Sequence, residues 1–343
     1  MVRLVSLFSG CGGLDCGFEK AGFERVWAND FDEHARKVFE LNLGEIDGRD
    51  IHGVDASEIP DCDIIIAGFP CQPFSNAGNR KGINDPRGTL YQECIRIIKE
   101  KQPKVVVFEN VRGLLSTKYD ENTLLIDQIH TDLESIKFSD GSVGYNVVHK
   151  LLNASDYGVP QNRHRVVLVA VKANFGSAFV YPQPIEDKEK LKLKYVLDIP
   201  KDAKNQVSWD LSPQALNLIR QIPEGGSWKN IPYENLPDRM KHIRDNMVRY
   251  HAPNFYRRFS REEINGTITA SAQPENCGII HPVEDRRYTI REIARIQSFD
   301  DDFIFVDDSL KNIVGMYKVI GNGVPPKMAE AIAKEIMDQY FRD

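Results

Sequence analysis

Short β-branched or apolar runs at residues 4–8, 25–29, 46–51, 62–67 and 105–108 alternate with stretches of helical spacing, and this alternation constrains the fold more than any other feature. Strands separated by amphipathic helices form βαβ units, which build a parallel sheet with helices on its faces. The clearest helix is 90–101, with Leu90, Cys94, Ile97 and Ile98 on one face. Two further runs, 145–154 and 165–171, are joined by Asp156-Tyr157-Gly158-Val159-Pro160. That link is too short for a helical crossover and predicts an antiparallel final pair. The expected class is α/β, a doubly wound, mostly parallel sheet. From about residue 175 the periodicity gives way to scattered prolines and charged runs until Tyr288, which fits a second, smaller irregular domain. Residues 327–341 follow as a helix that buries Met328, Ile332, Ile336 and Tyr340.

A chain of 343 residues, 41% of them hydrophobic, has material for about two cored domains. Its longest apolar runs, 64–67 and 166–171, fall far short of the roughly 18 residues of a membrane span. The opening Met-Val-Arg-Leu-Val-Ser-Leu-Phe reads as a strand and not a signal peptide, so the expected compartment is the cytoplasm. The six cysteines form no CxxC pair and the eight histidines no HxxxH or Cys/His cluster, so neither disulfides nor a metal are expected. Cys11, Cys16, Cys62, Cys94 and Cys277 read as small buried hydrophobes.

The glycine loop Phe8-Ser9-Gly10-Cys11-Gly12-Gly13-Leu14 directly follows the first run, where a ligand can approach the backbone at the carboxyl edge of a sheet. Asp15 stands where a dinucleotide fingerprint has its third glycine, which favours an adenosine ligand without a pyrophosphate. Asp30, twenty residues after Gly10, suits a ribose diol; Asp50, at the end of 46–51, could accept from an exocyclic amine, with Ile51 over a ring face. Helix capping is the other use for such acids. The run 62–67 leads into Gly68-Phe69-Pro70-Cys71-Gln72-Pro73, a thiol on a loop stiffened by prolines. Glu109, after 105–108, brings a carboxyl group to the same edge, and the pair suggests covalent catalysis with acid assistance. In Gln161-Asn162-Arg163-His164-Arg165 the two guanidiniums stand at i and i+2, on one face of an extended chain.

These blocks, in this order, resemble the DNA (cytosine-5-)-methyltransferases of the compact bacterial restriction-modification type. The likeness rests on Pro70-Cys71-Gln72, Glu109-Asn110-Val111, Gln161-x-Arg163-x-Arg165, Arg291-Glu292-Ile293-Ala294-Arg295-Ile296-Gln297 and Gly321-Asn322-Gly323-Val324-Pro325. Departures are Cys11 for a common alanine, Asp300 for a common proline, and Gly323 for alanine or serine. The resemblance implies a Rossmann-like domain binding S-adenosylmethionine (1–180 and 284–343), and a target recognition domain (181–283). Phe8, Gly10, Gly12, Asp30, Asp50, Ile51, Pro70, Leu90 and Asn322 would hold the cofactor, which leaves as S-adenosylhomocysteine. Cys71 would be the nucleophile and Glu109 the group on ring nitrogen 3, protonated near neutral pH through burial. Arg165 would contact the cytosine carbonyl oxygen, and Arg163 would position the loop and acid.

The implied partner is double-stranded DNA, with the protein a monomer and a separate endonuclease acting on the same site. A tRNA cytosine-5 methyltransferase would use the same catalytic blocks. The charge balance, 44 Lys+Arg against 50 Asp+Glu for a net −6, at first opposes a polyphosphate partner. Within 239–261, however, Arg239, Lys241, Arg244, Arg249, Arg257, Arg258 and Arg261 face the single acid Asp245, a local basic surface interleaved with aromatic residues. These seven are the candidate DNA contacts.

Overall fold

A computed structural model describes residues 1–70, 90–247, 255–271, 273–275, 278–306 and 312–342. The elements are, in chain order, β1 (Val2–Leu7), α1 (Gly13–Lys20), β2 (Phe23–Asn29), α2 (Glu33–Leu43), β3 (Ile64–Ala67), α3 (Leu90–Lys101), β4 (Val105–Val111), α4 (Leu125–Glu134), β5 (Tyr145–Asn153), β6 (Gln161–Asn162) and β7 (His164–Lys172). Then come α5 (Leu193–Val196), α6 (Pro213–Ile219), α7 (Asp238–Asp245), β8 (Asn265–Gly266), α8 (Ile290–Ile296), α9 (Ile313–Asn322) and α10 (Pro326–Tyr340).

Six strands form one sheet in the order β2-β1-β3-β4-β7-β5. The first four are mutually parallel; β7 runs antiparallel to β5, as the short link after residue 154 predicts, and also to β4. Every residue of β3 is buried, as are Val105 to Phe108 of β4. A strand covered on both faces must be apolar throughout, which is why these runs do not alternate. Helix α3 buries Leu90, Cys94, Ile97 and Ile98, the predicted face.

The run 46–51 is not a strand. Only Asp47 bridges, to Asn29, and a one-turn 3₁₀ helix, Ile51–Gly53, follows with Asp50 as its N-cap. The side-chain amide of Asn29 donates to the carbonyls of Asp47 (3.0 Å) and Arg49 (2.9 Å), so a side chain satisfies backbone that a ladder would otherwise use.

The chain packs into two compact units. The first comprises 1–157, 164–184 and 324–343, and the second 158–163 and 185–323. Residues 284–323, grouped with the sheet in the sequence reading, therefore pack within the second unit. In the first, α10 packs on α1 and buries Met328, Ala329, Ile332, Ala333 and Ile336. The second unit has short helices and a two-residue parallel pair, β6 with β8, around a core that includes Trp228, Ile219 and Ile231. Among the described residues no helix is long and apolar enough to cross a membrane, and no group of three or more His, Cys, Asp or Glu side chains could hold a metal ion.

Asp15, in the first turn of α1, is completely buried, and neither carboxylate oxygen has a hydrogen-bond partner. The neighbouring Ser6 hydroxyl is engaged with Ser9 (2.8 Å), and the nearest cation is Arg25, with Nε 3.8 Å away. Burial pushes the carboxyl up from 3.8 to about 7, the Arg25 charge offsetting only part. A folded-state pKa above the unfolded value means that ionisation destabilises the fold progressively as pH rises from 3.8 to about 7. Asp15→Asn is therefore expected to stabilise the protein at pH 8, by on the order of 4 kcal/mol, with the gain vanishing near pH 4. Thermal melts across that range check this; a gain that does not change with pH would contradict it.

Candidate active site

β1 delivers the chain into the glycine loop at the carboxyl edge of the sheet. Phe8, Gly10 and Gly12 all have positive φ (54°, 57° and 86°), and Gly12 caps α1 from the left-handed region. Besides that strain, a Cβ on Gly12 would stand 2.1 Å from Leu43 Cδ1, whereas one on Gly10 would meet nothing within 4 Å. The loop is thus tightly packed behind and open in front.

Asp30 anchors it. Its Oδ2 accepts from the Gly10 amide and its Oδ1 from the Asp32 amide, both at 2.8 Å. Burial raises the Asp30 pKa against the pull of those two amides. Each oxygen keeps a lone pair for a diol. Asp50 is exposed and caps the turn at Ile51, accepting from the His52 amide (3.1 Å) and the His52 ring (2.7 Å Nδ1 to Oδ1). The His52 contact holds its carboxyl below the usual range. Ile51 is buried in the core. Leu90 opens α3 almost fully buried, Pro70 is exposed, and Asn322, in the second unit, is exposed at the end of α9. Sequence reasoning passed over Phe31, a residue 66% exposed that follows Asp30 in the chain. A large aromatic left open between a ribose acceptor and a helix cap is the signal that could have found it. An open backbone cradle, a half-buried acceptor with free lone pairs and an exposed aromatic residue suit an adenosyl ligand.

Glu109 and Arg165 meet because of strand register. β4 and β7 pair Glu109 with Val167 and Val111 with Arg165, which makes Glu109 and Arg165 diagonal neighbours on one face. Arg165 Nε lies 2.8 Å from Glu109 Oε1, both side chains nearly buried. Desolvation lowers the Arg165 pKa, with the Glu109 charge opposing it. A Cβ on Gly68 would lie 3.7 Å from Glu109 Oε2 and 3.8 Å from the Phe8 carbonyl oxygen, so the acid and the glycine loop flank the end of β3. Asn110 is a further residue that sequence reasoning missed. Buried, it donates from Nδ2 to the Phe69 carbonyl (2.9 Å) and ties the exit of β3 to β4. Cys71 lies outside the described residues, as do Arg249 and Cys277. Cys11 and Cys94 are buried as expected, whereas Cys16 and Cys62 are half-buried; none is in a disulfide, and desolvation pushes all four thiols up, Cys11 and Cys62 to about 12.

Arg163 lies between β6 and β7, fully buried in the second unit, and donates to the carbonyls of Ile268, Gly321 and Gly323. The strand breaks there, so the i, i+2 rule for one face does not carry across it. The basic stretch also divides. Arg244 donates to the carbonyls of Ile231 and Lys229, Arg257 to Gly226, Arg258 and Glu263, and Arg261 to Glu224. Arg258 is buried on Asp285 at 2.6 Å and on the Ile219 carbonyl. Arg239 is exposed and Lys241 half-buried, both on α7.

Comparison with known proteins accords with this arrangement. The sequence model of the C-5 cytosine-specific DNA methylases matches residues 2–338. The chain is 38% identical to the Type II methyltransferase M.NgoFVII of Neisseria gonorrhoeae, over 98% of its own length and 86% of that protein's. It is 37% identical to M.FnuDI of Fusobacterium nucleatum, over 98% and 94%. Among solved structures, the Entamoeba histolytica methyltransferase EhMeth shares the fold (TM-score 0.65, 19% identity, 98% of both chains). Such an enzyme draws its methyl group from S-adenosylmethionine, and the chain belongs to the C-5 cytosine-specific DNA methylase family.

Proposed function

We propose that the protein methylates carbon 5 of a cytosine flipped out of a specific duplex DNA sequence, through a covalent adduct with Cys71, as part of a restriction-modification system. The observation that carries this reading is the Glu109–Arg165 pair beside Gly68, with the glycine loop on the other side and Pro70-Cys71 following directly in sequence. On the cofactor side Gly10 and Gly12 would give the open backbone, Asp30 the ribose contact and Phe31 an adenine face. S-adenosylmethionine bound there supplies an electrophilic methyl group.

Carbon 5 of cytosine is a weak nucleophile and needs electron density pushed into the ring. Addition of the Cys71 thiolate at carbon 6 does this, while Glu109 holds ring nitrogen 3 and Arg165 both orients that carboxyl group and reaches the carbonyl oxygen. Once carbon 5 is methylated, loss of its proton expels the thiolate and restores the aromatic ring. Stacking covers carbon 6 inside a duplex, so the base must leave the helix, at a cost of a few kcal/mol that contacts to its edge offset. The likeness to Type II methyltransferases supports the restriction-modification setting, in which the protein would act as a monomer in the cytoplasm with a separate endonuclease reading the same site. Residues 181–283 would read the sequence.

Cys71→Ala is expected to abolish transfer of labelled methyl groups to duplex DNA while gel-shift affinity for the same DNA survives. Turnover near wild type would remove the nucleophile assignment, and preferential labelling of tRNA would transfer the reading to an RNA substrate. On α7, replacing both Arg239 and Lys241 by Gln should flatten the log–log salt dependence of DNA binding by about 0.9 for each phosphate that is no longer neutralised. The same change at Arg258 should lower thermal stability instead, since it leaves Asp285 without its 2.6 Å partner. An unaltered salt slope in the α7 variant would place the DNA elsewhere.

A further inference from the structure

Away from the catalytic edge, two histidines meet on the face of the sheet that α4 covers. His149 stands on β5 between Val147 and Leu151, which pack against the core that holds Ile126, Ile129 and Leu133 of α4. Alternation along a strand puts these three β5 side chains on one face. Lys150 takes the other, with its Nζ 5.8 Å from the centre of the Tyr181 ring. His130 of α4 completes the pair: its Nε2 lies 2.9 Å from His149 Nδ1, and the rings stand nearly perpendicular, at 84°. The two residues are 19 positions apart and on different elements, so no ligand spacing in the sequence betrays them.

The surroundings suit a cation. The second ring nitrogen of His130, Nδ1, lies 3.5 Å from Glu134 Oε1, one turn along α4. A carboxylate there favours the tautomer with Nδ1 protonated, which leaves Nε2 a lone pair aimed at His149, the arrangement common around metal-bound histidines. The groups that act on His149 are His130 and the Asp127 carboxylate, and no lysine or arginine is among them. Desolvation and His130 hold the His149 pKa below the ordinary 6.5, so the ring is neutral and able to ligate at pH 7. A tetrahedral ion about 2.0–2.1 Å from each nitrogen would set the two roughly 3.4 Å apart, a retreat of about 0.5 Å for two side chains at the surface.

We propose that His130 Nε2 and His149 Nδ1 form a binding site for one divalent ion of the zinc, nickel or copper class, which clamps β5, the last strand of the sheet, to α4. Only two protein atoms converge, so water fills the remaining positions, with Glu134 orienting His130 from outside. The ion replaces the proton that the two rings share, and His149 then carries its proton on Nε2. Methyl transfer plays no part in this inference, which stands or falls separately from the proposed function.

The full chain, freed of metal with a chelator, is titrated calorimetrically with Zn²⁺ and melted in its presence, as wild type and as His130→Gln, His149→Gln and Glu134→Gln. Wild type should bind one ion more than either histidine variant, and its Tm should rise with Zn²⁺ by an increment that both of them lack. Zinc held by other groups contributes equally to all variants and cancels. Glu134→Gln should keep the site but bind about tenfold more weakly. Mg²⁺, which prefers oxygen ligands, should not reproduce the increment. Equal stoichiometry in wild type and both histidine variants would overturn the proposal, as would a loss in only one of them. Undiminished affinity in Glu134→Gln would remove Glu134 from the site, and an equal increment with Mg²⁺ would overturn the class of ion. Should a histidine variant fail to fold, nitrogen NMR of labelled imidazoles in the wild type decides: Zn²⁺ should shift His130 Nε2 and His149 Nδ1, and unmoved signals would refute the site.

Discussion

Burial of β1, β3 and β4 on both faces governs everything else in the first unit. A strand covered on both sides can carry only apolar groups along its length, and Ile64 to Ala67 and Val105 to Phe108 obey that rule without exception. Polar chemistry is thereby confined to strand ends. Because these strands are parallel, their carboxyl ends coincide, and the glycine loop, Gly68 and Glu109 emerge at one edge.

At that edge single side chains hold the structure together as well as offering groups to a ligand. Asp30 ties the glycine loop through two backbone amides while keeping lone pairs free. Asp50 caps a turn and contacts His52, Asn110 ties two strand ends, and Arg165 neutralises Glu109. Substitutions here will consequently lower both stability and activity, and binding has to be measured separately from folding. Asp15 is the counterexample, a buried carboxyl whose attraction to Arg25 at 3.8 Å does not offset its desolvation.

The sheet was legible because continuous apolar runs and the short link after residue 154 each allow few arrangements. The run 46–51 misled because Ile46 and Ile51 flank Asp-Gly-Arg-Asp, residues that turn the chain, and because the partner that settles it, Asn29, belongs to another strand. Glu109 and Arg165 could be named from motifs, but their direct contact depends on register, which a sequence does not display. Arg163 was the least legible. The carbonyls it binds at Ile268 and Gly321 lie 105 and 158 residues along the chain. The basic stretch was legible only as a count of charges, which does not reveal that Glu263, Asp285 and Glu224 pair with Arg257, Arg258 and Arg261 from outside it.

The seating of α10 on α1 has a consequence for how the protein is made. These helices stand at opposite ends of the sequence yet belong to one compact unit. On a ribosome adding 5–20 residues per second, the roughly 300 residues between them take on the order of 15–60 s to appear. Throughout that interval the apolar side of α1 is without the helix that covers it in the finished protein. The nascent chain is thus a natural client for chaperones, and a rearranged gene that encodes α10 directly ahead of β1 would shorten that exposure while keeping the same contacts.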